Sequence, residues 1–183
     1  MADLKSILYR LRGEVTTQEL IARGLTVGKN FKRLNNVIID DAHTWLITLG
    51  DDVTLAPRVH ILAHDASTKN ALNKTRIGLV NIGNNVFIGA GTIVLPGVTI
   101  GDNVVIGAGS VVSRDIPSDS LAVGSPARVI CSYNEYIEKK RKEMDDCPSY
   151  DESYTMRSSQ LTDEKKQQMV DELKSSGGIG YVD

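Results

Sequence analysis

An aliphatic residue recurs at every sixth position along one stretch of the chain: Ile82, Ile88, Val94, Ile100, Ile106 and Val112. Gly follows it at 83, 89, 101 and 107, and four positions on stand Val86, Thr92, Val98, Val104 and Ser110. A period of six fits neither an amphipathic helix nor a plainly alternating strand. It fits a hexapeptide parallel β-helix, in which each hexad is one short side of a triangular coil. The aliphatic side chain points to the axis, and Gly and Asn take the corners, where a positive φ is needed. Three hexads close one coil, so residues 18 apart stack: Ile82 on Ile100, Ile88 on Ile106, Val94 on Val112. Gly does not recur at every third residue, which excludes a collagen helix. A β-sandwich would not keep a strict frame of six.

Ahead of the hexads, Leu4, Ile7, Leu8 and Leu11 fall at helical spacing with Gly13 as a stop. Thr16 and Glu19 are spaced for a capping box, and Gly24 ends a second short helix. Residues 1–26 thus read as a helical cap over one end of a solenoid, whose open strands need covering. Val27–Lys32 is an imperfect hexad, the repeat blurs through Leu34–Asp41, and it returns at Leu49, Leu55 and Ile61. Ile61 and Ile82 lie 21 residues apart, three more than one coil, so the frame breaks between them. The break is a polar loop at about residues 65–79, and an out-of-frame insertion in a repeat protein lies on the surface, often at the binding face. The β-helix is expected over 27–130. Beyond it, Ser132 and Glu135 are spaced to cap a helix over 133–144, with Tyr133, Tyr136, Ile137 and Lys140 along one side. Residues 145–160 read as a linker, 161–174 as one more helix, and the tail around Gly177-Gly178 as flexible. The last part, 131–183, carries no motif that names a role.

A net charge of −2 gives no nucleic-acid surface. Aromatic content of 5% suits a narrow core of Ile, Val and Leu. Cys131 and Cys147 stand far apart, without metal-ligand spacing, as thiols do in a reducing compartment. No stretch approaches the ~18 apolar residues of a membrane span, and no leader opens the chain, so a cytoplasmic protein is expected.

The hexads, followed by Ala122-Val123-Gly124-Ser125-Pro126-Ala127-Arg128, resemble the hexapeptide-repeat acyltransferases. The likeness covers roughly residues 17–140. It is greatest to the branch containing the maltose, galactoside and capsular-polysaccharide O-acetyltransferases. It implies a left-handed β-helix, an exception to the right-handed crossover rule. It implies acetyl-CoA as cosubstrate, lying in the groove between neighbouring β-helices of a homotrimer. It also implies a hydroxyl of a sugar or polysaccharide precursor as acceptor and a general base in an extended loop. Two other readings stay open: an N-acyltransferase on an amino sugar, or a serine or antibiotic acetyltransferase, which would use the same base; and a non-catalytic β-helix scaffold.

Transfer to a hydroxyl needs a base active near neutral pH, and His is the usual choice. His64 stands where the coil gives way to the loop, and the adjacent Asp65 is the candidate to orient its ring. In the sugar acetyltransferases the corresponding His lies deeper, in a loop richer in His and Pro; here no other loop residue can serve. The acceptor oxygen would attack the thioester directly, with backbone N–H groups stabilising the oxyanion. His43 and Trp45, in an irregular stretch one coil earlier, either contact the acceptor or fill the fold; Ser67 joins the acceptor side. His60 ends a good hexad and reads as a solvated corner residue. Zinc ligands come as clusters at tight spacing, so no metal is expected. On the donor side, Ala90 and Ala108 stack along one edge and leave room for a linear ligand. By resemblance, Phe87 lies beside the cofactor, while Ser113, Arg114 and Arg128 meet its nucleotide end, where either Arg can pair with a phosphate.

Overall fold

A computed structural model describes residues 15–183. The helix expected at Leu4–Leu11 lies outside the described residues. The chain divides into two compact units, one ending at Asn134 and one beginning at Glu135.

The first unit is a parallel β-helix of three faces. One face stacks Thr26–Val27, Ile47–Leu49, Val80–Ile82 and Thr99–Ile100. The second stacks Lys32–Arg33, Thr54–Leu55, Val86–Ile88, Val104–Ile106 and Ser120–Val123, all in parallel. Arg128–Ser132 then turns back to pair antiparallel with Ser120–Val123, so the coiled unit extends slightly past residue 130. The third face stacks Ile38–Ile39, His60–Ile61, Ile93–Val94 and Val111–Val112. The expected stacking is present: Ile82 pairs with Ile100, Ile88 with Ile106 and Val94 with Val112. The coil also runs on through the blurred stretch, because Arg33 and Ile39 already sit in register with Leu55 and Ile61.

The axis is filled by aliphatic side chains from the short strands, one from most two-residue strands and two from strands such as Val86–Ile88 and Val104–Ile106. Leu55, Ile61, Ile88, Val94, Ile106 and Val112 are fully buried, and each such side chain contributes about 1.5–3 kcal/mol relative to exposure. Thr92 and Ser110 also point inward, where their hydroxyls donate to the Gly107 carbonyl, so no buried polar group is left unpaired there. One corner turns through left-handed Asn30, Asp52, Asn85, Asn103 and Asp119, residue types that tolerate this conformation. Their side chains form rungs up the edge: the Asn85 amide donates to Asn103 at 2.9 Å, and Asn103 donates to Asp119 at 2.8 Å.

Register shows where the coil departs from its period. Ile39 pairs with Ile61, 22 residues on, four more than a coil of 18. Ile61 pairs with Val94, 33 residues on, fifteen more than a coil. The four extra residues fall within 40–46 and the fifteen within 62–79, between regular strands in each case. Because Ile39 and Ile61 are stacked, both insertions leave the same corner on successive coils.

The helix Thr17–Ala22 forms as its caps dictate. Thr16 accepts from the Glu19 N–H and the Glu19 carboxylate accepts from the Thr16 N–H, a complete capping box. At the other end Gly24, with φ +106°, closes a Schellman motif: its N–H reaches Ile21 and the Leu25 N–H reaches Leu20.

In the second unit, the helix Tyr133–Asp145, entered at the end of the first, continues as expected, and Asp163–Ser175 starts at the Thr162 cap. The segments read as linker and tail carry short elements of their own. Ser149–Tyr150 pairs in parallel with Tyr181–Val182, and the Tyr181 hydroxyl donates to Glu143 at 2.9 Å. A two-residue strand pair carries too little hydrophobic pattern to be read from sequence. No helix among the described residues is long and apolar enough to cross a membrane.

Candidate active site

The corner shared by the two insertions gathers Asp40, His43 and His64. Asp40 directly follows Ile39, and its N–H bonds the Ile61 carbonyl of the next coil at 2.9 Å. That pairing turns its carboxylate inward, where it is fully buried. One oxygen accepts from the N–H groups of Ala42 at 3.0 Å and His43 at 3.2 Å. The other accepts from the Ala63 N–H at 2.9 Å and meets His64 Nδ1 at 2.5 Å. Burial pushes the Asp40 carboxyl up, but the hydrogen bonds from His64, Ala63 and Ala42 outweigh it and hold the group below the usual carboxylate range. An ionised carboxylate only accepts, so Nδ1 of His64 carries the proton and Nε2 keeps its lone pair. The half-exposed ring is therefore oriented, and its tautomer set, for taking a proton at Nε2.

The residue that orients His64 is Asp40, not Asp65. The Asp65 carboxylate is engaged by the Ser67 N–H at 2.8 Å, which holds it below the usual carboxylate range, and chain neighbours on a strand point to opposite sides. Asp40 escapes sequence reasoning because it lies 24 residues away and forms no local motif. One signal points to it: Ile39 and Ile61 are four residues further apart than a coil allows, so something leaves the coil just after Ile39.

His43 lies beside the pair. Its ring centroid is 5.4 Å from that of His64 and 5.5 Å from that of Trp45. Its Nδ1 stands 3.9 Å from Asp40 and, though buried, has no hydrogen-bond partner. The short 3₁₀ turn Thr44–Leu46 holds this stretch against the helical cap: fully buried Thr44 donates to the Arg23 carbonyl at 2.5 Å. A side chain on Gly24 would come within 3.0 Å of Trp45 Cβ, so Gly24 also makes room for the turn. Trp45 is 62% exposed and plugs nothing. His60 sits on the third face rather than at a corner, pointing outward between Ile38 and Ile93. Residues 40, 43 and 64 have no tight metal-ligand spacing along the chain, yet the coil brings them together.

The loop is built, not loose. His64–Asp65 pairs antiparallel with Arg76–Ile77, Lys69–Leu72 makes a helical turn between them, and Arg76 reaches the Pro96 carbonyl of the next coil at 3.4 Å. Gly78 passes so close to Gly97 that a Cβ would lie 2.5 Å from its backbone nitrogen. Ser67 sits on this hairpin near its turn.

The donor-side residues lie elsewhere on the coil. Ala90 and Ala108 are exposed at the corner between the second and third faces, with the Gly109 N–H bonded to the Ala90 carbonyl at 2.8 Å. Phe87 stands outward on the second face, between Thr54 and Val105. Arg128 is exposed on the returning strand next to the same corner, opposite Val123. Ser113 and Arg114 are exposed on the His64 corner, beyond Val112. On one chain, then, His64 and the Ala90–Ala108 edge lie at opposite borders of the third face. The outward row of that face is Ile38, His60, Ile93 and Val111, whereas the first face presents Thr26, Thr48, Asn81 and Thr99.

Residues 80–114 match the family model of the bacterial transferase hexapeptide of six repeats. Protein CapG of Staphylococcus aureus is 37% identical over 145 residues, which cover 74% of this chain and 83% of that protein. Galactoside O-acetyltransferase of Escherichia coli is 43% identical over 113 residues, 60% of this chain and 54% of that protein. Among solved structures, a galactoside acetyltransferase in complex with coenzyme A superposes with a TM-score of 0.56 at 41% identity, covering 63% of this chain and 58% of that one. The chain spans about half the length of the first curated relatives it matches. The likeness also settles the hand: the solved relatives are left-handed parallel β-helices, and so is this chain.

Proposed function

The chain belongs to the hexapeptide-repeat acyltransferase family, and on that basis we propose that it transfers an acetyl group from acetyl-CoA to a hydroxyl of a sugar or polysaccharide precursor. One observation carries the reading: a buried, ionised Asp40 holds His64 with Nε2 free at the mouth of an ordered surface loop. His64 takes the acceptor's hydroxyl proton at Nε2 as the oxygen attacks the acyl carbon, and returns it to the departing thiolate. Asp40 steadies the ring while it is charged. Acetyl-CoA supplies the activated acyl group. The exposed, small Ala90 and Ala108, with Phe87 and Arg128 alongside, fit a thin linear donor carrying phosphates. Exposed Trp45 offers an aromatic face to a sugar ring, with His43 beside it, and Ser67 on the loop joins the acceptor side.

The site is divided between two copies of the chain in a closed homotrimer. The separation of His64 from the Ala90–Ala108 edge supports this, as does the largely apolar row between them. Three exposed side chains on or next to the loop, Leu72, Ile77 and Leu79, would be covered by the neighbour.

Release of CoA thiol, followed over a panel of sugars, nucleotide-sugars, amino sugars and serine, tests the reaction and names the acceptor. Thiol release with none of them overturns the transferase reading in favour of a scaffold; release with an amine acceptor replaces O- by N-transfer. Mixing tests the division of the site. His64→Ala and Ala108→Trp chains are each expected to be inactive, and mixed trimers, verified by native mass, are expected to regain part of the activity. Verified mixed trimers without activity would place base and donor edge on one subunit.

A further inference from the structure

We propose that Asp40, His43 and His64 form a binding site for a divalent transition ion, with Zn²⁺ the best match, and that an ion bound there switches His64 off as a base. The proposal goes beyond the transfer reaction, and the ion binding itself does not depend on it. Each of the three residues offers one donor atom, and the three atoms lie within 4.8 Å of one another. A tetrahedral ion bonded at about 2.0–2.2 Å to imidazole nitrogen and carboxylate oxygen needs donors roughly 3.3 Å apart. Asp40 and His64 Nδ1, now at 2.5 Å, would open by less than an ångström, and His43 Nδ1, at 3.9 Å from Asp40, would close by a similar amount.

The second observation is the state of His43. Its Nδ1 is buried beside a carboxylate and has no hydrogen-bond partner. Turning this ring toward an ion breaks nothing and satisfies a buried polar atom. Asp40 is preset as well, since three backbone N–H groups hold its carboxylate in place. Two imidazoles and one carboxylate suit Zn²⁺, Co²⁺ or Ni²⁺ rather than Mg²⁺ or Ca²⁺, which take oxygen donors. Both rings are partly exposed, 39% for His64 and 27% for His43, so an ion has an approach and water can complete its coordination.

The chemical consequence follows from the tautomer. With Asp40 as its partner, His64 carries its proton on Nδ1 and its lone pair on Nε2. An ion on Nδ1 takes the lone pair there, and the ring's single proton must then sit on Nε2. The number of protons on the ring is unchanged, but Nε2 becomes a donor and can no longer take a proton from a hydroxyl.

The test uses the full chain, freed of metal by a chelator and titrated with Co²⁺ followed by its visible absorption, then with Zn²⁺ by calorimetry. One ion per chain is expected, with the intense absorption of a four-coordinate Co²⁺ complex. His43→Ala and His64→Ala should each weaken binding by about 10²-fold or more, since changes even to the partners of metal ligands cost about 10–100-fold. His60→Ala and the double variant Cys131→Ser, Cys147→Ser should bind as the parent chain does. Zn²⁺ should raise the melting temperature of the parent chain and leave that of His43→Ala unchanged. Undiminished binding by His43→Ala, or Co²⁺ with only its weak six-coordinate spectrum, would overturn the proposal. Neither result touches the transfer reaction, which is read by thiol release without metal.

Discussion

The coils between Val80 and Val112 and the corner that carries Asp40, His43 and His64 are built from the same short strands, yet they answer to different constraints. In the regular coils each residue's neighbour is the residue 18 away, and each inward position repeats the last. Four residues added after Ile39 and fifteen after Ile61 break that rule at one corner. There the neighbours are no longer copies: a buried carboxylate meets a histidine, and a second histidine lies beside them. Repetition makes a rigid post, and the interruptions hang chemistry on it. A site needs unlike residues in contact, and a perfect repeat stacks like on like.

The largest effect should come from disrupting the post. Ile88→Asp and Ile106→Asp each put an unpaired carboxylate on the axis, at a cost of several kcal/mol against a total stability of about 5–15 kcal/mol. Neither chain should show a cooperative melt at room temperature and above. A parent-like melting curve for either would sink the inward assignment of the hexads.

Disrupting the corner should spare the post. His64→Ala is expected to lower turnover by about 10²–10⁴-fold, the span general-base catalysis contributes. Its melting temperature should fall only modestly, because the three backbone N–H groups that hold the buried Asp40 carboxylate remain. Full turnover by this variant, read by thiol release, would remove His64 from the reaction.

Asp40 belongs to both regions, and Asp40→Asn probes them together. A hydrogen bond to a charged group is worth about 1.5–3 kcal/mol, so turnover should fall roughly 10–100-fold. The variant should also lose an acid-sensitive part of its stability. The folded Asp40 carboxyl is held below its ordinary value. Its contribution is therefore present above the unfolded value of about 3.9 and lost as pH falls through the lower folded value. Below about pH 4 the parent's melting temperature should drop more steeply than that of Asp40→Asn. Parallel curves would mean that the buried carboxylate does not favour the folded state.

The smallest effect is expected at the outer surface of the inserted loop. Leu72 is 66% exposed on the single chain, and under conditions where the chain is monomeric Leu72→Ser should change unfolding free energy by about 0.5 kcal/mol or less in denaturant titrations. A larger loss that appears only where the chain is assembled would show that a neighbouring copy covers this side chain.

Much of the post is legible in the order of its residues. Six aliphatic residues in one frame specify the inward row and the stacking interval, and Thr16, Glu19 and Gly24 specify a helix that forms as read. The ends of the blurred coil are harder, because Lys32–Arg33 and Ile38–Ile39 occupy coil positions without keeping the hexad's glycines. Ordered pairing of Ser149–Tyr150 with Tyr181–Val182 leaves no trace in hydrophobic pattern at all.

The site divides in the same way. His64 is legible because a histidine stands at the break in a strict frame. Its partner is not: Asp65 is the neighbour in sequence and Asp40 is the neighbour in space. The order of residues alone specifies whatever repeats, since a period fixes which side chains share an axis without any knowledge of distance. Folding selects which unlike residues meet where the period fails. That depends on register between coils, and register brings residue 40 within 2.5 Å of residue 64 because Ile39 and Ile61 share one face of the coil.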